Sequence, residues 1–164
     1  MDIDSEAPVI ARAQVQIAAD PETVWDVLSD FEQWPSWNSD VRSMSLRGPL
    51  EPGSTFEWKA GPGKIRSRLG EVDHPHKIAW TGVTLSIKAV DVFRIEARDS
   101  GTVVTEEESW SGLMARLFRS PLQRTLQKSI EQGLQSLKAA AETRALAAVG
   151  QRDDVVTPPV DVAA

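Results

Sequence analysis

A change of hydrophobic period at Gly112 constrains this chain more than any other feature. Ahead of it the apolar residues alternate, and after it they recur at helical spacing. Val9, Ala11, Ala13, Val15 and Ile17 alternate with Arg12, Gln14 and Gln16, which predicts a strand with one buried face. Asp20-Pro21-Glu22-Thr23 then sets a capping side chain before a proline, with an acid in the first turn, so a helix starts there. Val24, Trp25, Val27, Leu28 and Phe31 form its apolar face. Trp34-Pro35-Ser36-Trp37 predicts a second short helix, because the residue before a proline resists the helical region.

From Asp40 to Thr105 turn signals divide the chain into the strands of an antiparallel meander. They are Gly48-Pro49, Glu51-Pro52-Gly53, Gly61-Pro62-Gly63, His74-Pro75-His76 and Asp99-Ser100-Gly101. Phe56 and Trp58 share a face, as do Ile78 and Trp80, and Leu85, Ile87, Ala89, Asp91, Phe93 and Ile95 alternate with their neighbours. The last strand is predicted from Thr102 to about Ser111, and the parity that buries Val104 turns Glu106, Glu108 and Trp110 inward. Beyond Gly112, Leu113, Leu117, Leu122, Leu126, Ile130, Leu134, Leu137 and Ala141 form one stripe of a long amphipathic helix. Pro121 falls inside it, so the first turns should be kinked from, or separate from, the rest. One domain over residues 9–148 is expected, with 1–8 and 150–164 as disordered tails.

Local sequence then narrows the fold. The segments Val15-Gln16-Ile17-Ala18-Ala19-Asp20-Pro21-Glu22-Thr23-Val24-Trp25, Trp34-Pro35-Ser36-Trp37, Gly53-Ser54-Thr55-Phe56 and Gly101-Thr102-Val103-Val104-Thr105 follow the order strand, two short helices, six strands, long helix. In this the chain resembles the START-like, Bet v 1-like (SRPBCC) superfamily, specifically its bacterial polyketide cyclase/dehydrase branch. The resemblance implies an α+β helix-grip fold, in which a bent antiparallel sheet of about seven strands surrounds the long C-terminal helix. It also implies a ligand cavity between the sheet's concave face and that helix. The shared segments are fold grammar and carry no catalytic signature, so function has to be argued from the site.

Trp58, Trp80, Phe93, Trp110, Leu126 and Ile130 are the candidate walls of that cavity, or else the filling of a solid core. Glu106 and Glu108 are the candidate acid/base residues, with Asp91 opposing them from the neighbouring strand. Carboxyls in an apolar cavity gain proton affinity and can hydrogen-bond a ligand or move protons. A bulge in the last strand would instead turn Glu107 inward, and Arg66 or Arg68 could pair with the acids. His74 and His76 are the only imidazoles, and a two-histidine turn falls short of a zinc ligand set, so no metal is expected. Phosphate loops and dinucleotide fingerprints are absent from the sequence, so no cofactor is expected.

Composition closes off further classes. A net charge of -6 disfavours nucleic acid, and the absence of cysteine excludes thiol chemistry. With no basic, apolar leader the expected location is cytoplasmic. Met114 to Pro121, with Arg116, Arg119, Arg124 and Lys128, is a basic amphipathic stretch that is expected to be a solvated helix face rather than a membrane contact. The leading expectation is the binding or carrying of a small hydrophobic metabolite, such as a polyketide, lipid or isoprenoid-like molecule. An aromatase/cyclase-like enzyme using Glu106 or Glu108 ranks second, since no tyrosine is available and the acids would have to be shifted by burial. A protein-interaction module of the same fold is the third.

Overall fold

The computed structural model describes residues 1–61 and 63–155. Strand β1 (Val9–Ile17) leads into α1 (Pro21–Ser29), a 3₁₀ turn (Phe31–Gln33) and α2 (Trp34–Trp37). The strands β2 (Val41–Arg47), β3 (Thr55–Ala60), β4 (Gly63–Asp73), β5 (Lys77–Thr84), β6 (Ile87–Arg98) and β7 (Gly101–Ser111) follow, and then α3 (Leu113–Leu117) and α4 (Arg119–Val155). Every strand pairs antiparallel in one curved sheet of order β1-β7-β6-β5-β4-β3-β2. This is the helix-grip architecture that the resemblance implied.

The local reasons are those in the sequence. Asp20 caps α1 by accepting the Thr23 amide at 2.9 Å, and Pro21 occupies the first helical position. The Trp34 indole donates to the Leu28 carbonyl at 2.8 Å, which ties α2 back onto the end of α1. The last 37 residues described form α4, a rod about 55 Å long. Leu134, Leu137 and Ala141 pack it against Val15, Ile17, Val24 and Leu28, while Leu126 and Ile130 meet Val9, Ala11 and Ala115 in a second cluster.

Polar side chains of α4 also cover the free edge of β1, an otherwise open row of backbone groups. Gln123 donates to the Ile10 carbonyl at 2.6 Å and accepts its amide at 3.2 Å. Gln127 donates to the Arg12 carbonyl at 3.2 Å and Lys138 to the Gln16 carbonyl at 2.8 Å, while Glu142 accepts the Ala18 amide at 2.8 Å.

Two expectations are corrected. The helical stripe does not include Leu113 and Leu117, which are 64% and 66% exposed. Helix α3 is a separate piece, broken from α4 at Phe118, and it buries Ala115 instead. Pro121 consequently sits in the first turn of α4, where its missing amide donor leaves no gap. Leu85 does not continue the alternation of β6. With Ser86 it forms the two-residue β5–β6 turn, closed by the Thr84–Ile87 pair, and both residues have positive φ (41° and 65°). That conformation suits Asn-Gly, and no glycine or proline announced it in the sequence. Gly112, at φ +107°, passes so close to this turn that a Cβ would lie 2.3 Å from the Ser86 carbonyl oxygen.

Ahead of β1 the Met1 amino group pairs with Glu71, and Asp2 meets Arg94 at 2.5 Å. Of the tail expected over 150–164, residues through Val155 continue α4, and 156–164 lie outside the described residues.

Replacing Leu85-Ser86 with Asn-Gly should relieve the strained turn and raise unfolding stability by about 1–2 kcal/mol. Urea denaturation checks this; unchanged or lower stability would mean that the turn holds no strain.

Candidate functional site

A cavity of about 850 Å³ lies between the concave face of the sheet and the first half of α4. Strand register explains why it is not filled. One row across the sheet, read from β4 through β5, β6 and β7, is Ser67–Gly82–Ala89–Trp110, so three neighbouring positions carry almost no side chain. Gly133 faces them from α4, and a Cβ there would find only Asn38 Nδ2, at 3.7 Å. Larger residues stand around this floor: Trp58 and Ile65 on one side, Trp34, Trp80 and Phe93 on the other. Trp80 and Phe93 stack at 5.4 Å, and Trp34 meets both rings edge-on at 6.0 and 6.4 Å. Trp58 is fixed by donating its indole N–H to Ser67 Oγ at 3.0 Å. Leu85, Met114 and Phe118 line the cavity while remaining exposed, which places its mouth between the β5–β6 turn and α3.

The neighbouring row runs Leu69–Trp80–Asp91–Glu108–Ala11. Asp91 therefore lies directly opposite Glu108, and Glu106 sits two residues along β7, opposite Phe93. All three acids face the cavity, with carboxylate oxygens within 4.8 Å of one another. Asp91 is 5% exposed and Glu106 6%. The Trp110 indole donates to Glu108 Oε1 at 2.6 Å, whereas Asp91 Oδ1 is buried without a hydrogen-bond partner. The alternative parity does not occur. Glu107 faces outward, 3.6 Å from both Arg12 and Arg94, and Arg66 pairs with Glu57.

Burial pushes the Asp91 carboxyl well above the ordinary carboxylate range, and the nearby Glu108 and Glu106 push it further. Glu106 rises for the same reasons, burial first and Glu108 second. Burial lifts Glu108 to about 7, against the opposing pull of the Trp110 hydrogen bond. The three acids can share protons, donate hydrogen bonds while protonated, or together hold a cation, a metal ion included.

The family described as polyketide cyclase / dehydrase and lipid transport matches residues 8–142. The chain belongs to that family. Among solved structures, a hypothetical protein from Helicobacter pylori aligns with a TM-score of 0.76 at 16% identity, covering 85% of this chain and 91% of its own. The Zhui aromatase/cyclase from Streptomyces sp. R1128 aligns at 0.73 and 15% identity, covering 82% and 94%. A START superfamily protein from Mycobacterium smegmatis aligns at 0.65 and 18%, covering 84% and 97%. At these identities the likeness shows the fold. No curated protein matches the chain in sequence.

For this member of the polyketide cyclase / dehydrase family, the structure gathers Trp58, Trp80, Asp91, Phe93, Glu106, Glu108, Trp110 and Ile130 around one cavity. Leu126 is not in its wall. Fully buried, it points at Val9 and Ala11 of β1, because the helix stripe divides between the sheet edge and the cavity. His74 and His76 are remote from the site: His74 lies 2.9 Å from Glu22 and edge-on to Trp25 at 5.0 Å, and neither histidine lines the cavity. Trp34, Trp37, Asn38 and the small residues of the floor were missed by sequence reasoning. Trp34 and Trp37 read only as parts of a second short helix, and a cavity floor made of absent side chains leaves a signal only once register is known.

Because the acids hold protons more tightly folded than unfolded, stability should fall as pH rises from the ordinary carboxylate range through about 7. Glu106→Gln should therefore be more stable than wild type at pH 8 by about 1–3 kcal/mol, with the advantage gone at pH 5. Thermal unfolding at both pH values checks this. An equal difference at the two would show that no buried acid titrates between them.

Proposed function

We propose that this chain binds a small, mainly apolar organic molecule in the cavity and operates in the cytoplasm as a carrier or binding module. The observation that carries the reading is the unfilled, aromatic-walled space of about 850 Å³, within the range of pockets that enclose a drug-sized ligand, with an acidic cluster among its polar groups. A protein that used only its surface would have no reason to line neighbouring floor positions with serine, glycine and alanine, since a close-packed interior is more stable. Membership of a family described by both cyclisation and lipid transport supports the same reading. Among the described residues no helix is long and apolar enough to cross a membrane.

A second reading, proton transfer during cyclisation or dehydration of a keto substrate, is favoured by one observation. Glu108, held near neutrality by its burial, has the proton affinity expected of a general acid/base. The aromatase/cyclase among the structural neighbours makes this chemistry the natural one to assay. Under this reading Glu108→Gln abolishes turnover while leaving ligand affinity within about threefold of wild type.

Titration with 1-dodecanol and 2-naphthol, followed by tryptophan fluorescence, tests the binding reading. A saturable change is expected for wild type. Gly133→Leu, which fills the cavity from the helix side, should weaken it about tenfold or more without lowering the melting temperature. No response to either compound, or an equal response in the filled variant, would overturn the reading.

A further inference from the structure

Asp91, Glu106 and Glu108 bring three carboxyls into one apolar pocket, and no basic side chain pairs with any of them among the described residues. Lys128 is the basic residue lining the cavity; it comes from α4, across from the sheet, and forms no ion pair with the three. One acceptor, Asp91 Oδ1, is buried and unpartnered. Buried acceptors are otherwise satisfied, so an orphan in a cavity marks where a ligand's donor fits.

We propose that this acidic floor recognises positive charge, namely the ammonium group of an amphiphilic ligand whose hydrocarbon or ring body fills the rest of the cavity. The inference rests on the binding reading above and names the ligand's polar end.

Geometry supports it. The three carboxylate oxygens lie within 4.8 Å of one another. A nitrogen centred in a triangle with sides of at most that length is no more than about 2.8 Å from each corner, so on or just above the plane it can sit at the length of a charge-assisted N–H···O bond to all three. A primary ammonium carries three donors, one for each acid. Its surroundings suit a cation too, since Trp80 lies opposite Asp91 and Phe93 opposite Glu106, and aromatic faces attract positive charge. A divalent metal ion is the other cation to consider. Mg²⁺ and Ca²⁺ want six or more oxygens, and beyond the three acids this end of the cavity offers mainly tryptophan, phenylalanine and alanine. The same floor should reject carboxylate-ended amphiphiles, whose charge would be buried beside three acids with no basic partner.

Isothermal titration calorimetry of the full chain at pH 7.5 tests this with three probes of equal chain length, dodecylamine, 1-dodecanol and dodecanoate, and separately with MgCl₂ and MnCl₂ alone. Dodecylamine should bind about tenfold or more tightly than dodecanol, and dodecanoate weakest. Asp91→Asn and Glu106→Gln should each remove most of the amine's advantage over dodecanol, read as the ratio of the two affinities in the same variant. Equal binding of amine and alcohol, tightest binding of dodecanoate, or an amine preference that survives both substitutions would overturn the inference but not the binding reading. Binding of either metal alone that is lost in Asp91→Asn would overturn it in favour of a metal site. If none of the three probes binds wild type, the binding reading falls and this inference with it.

Discussion

The pairing of β7 between β1 and β6 is the constraint on which the rest of this structure depends. Side-chain direction in a strand has period two, so one registration decides the surroundings of eleven residues at once. With Val104 opposite Ile95 and Val15, the odd acid Glu107 lies among arginines at the surface while Glu106 and Glu108 enter the interior. A slip of one residue would invert that arrangement, turning Glu107 inward and carrying Glu106 and Glu108 to the surface. The energetic burden of burying three carboxyls is thus borne by the ladders on both sides of β7, where apolar pairs such as Val104 with Ile95 hold the register.

A division of labour follows along the sheet. At one end, α1 and the C-terminal half of α4 close over a solid core that includes Ile17, Leu28 and Leu134. At the other, a smaller cluster around Leu126 and Ala115 anchors the beginning of α4 and positions α3. Between them the sheet and helix are held apart over residues too small to meet. The void is therefore supported from both sides rather than left over from poor packing, and it can persist without collapse because the elements that bound it are fixed elsewhere. Strain is confined to the rim, where Leu85 and Ser86 adopt positive φ and Gly112 passes too close to tolerate a side chain.

Much of this was legible in the sequence, for a physical reason. Alternation in β1 is clear because that strand has one wetter and one dry face, and counting in β7 offered the inward direction of Glu106, Glu108 and Trp110 as one of two parities, between which only the pairing with β6 decides. The Asp20-Pro21 start of α1 and the interruption near Pro121 follow from backbone chemistry that does not depend on tertiary context. What counting could not supply was anything set by pairing between distant segments. The Ser67–Gly82–Ala89 floor involves three strands, and none of those residues is distinctive alone. Leu113 and Leu117 fit the helical stripe by spacing but belong to a piece of helix turned away from it, and Leu126 fits a cavity wall by spacing but faces the sheet edge. The Leu85-Ser86 turn escaped notice because its residues are not the ones that relax such a turn.

The glutamines of α4 have a consequence beyond holding the helix in place. A curved sheet that does not close into a barrel has two free edges, each able to recruit a strand from another molecule and so begin aggregation. Gln123, Gln127 and Lys138 occupy the Ile10 amide and the Ile10, Arg12 and Gln16 carbonyls of β1, and Glu142 the Ala18 amide just beyond it, so a stray strand would have to displace them to pair along that edge. At the opposite edge, β2 carries Arg42 and Arg47 and an irregularity between Val41 and Ser43, which interrupts the flat ladder that a docking strand would need. The helix that bounds the ligand space thus also keeps a sheet with a partly hollow interior from polymerising, and loosening it would threaten solubility as well as binding.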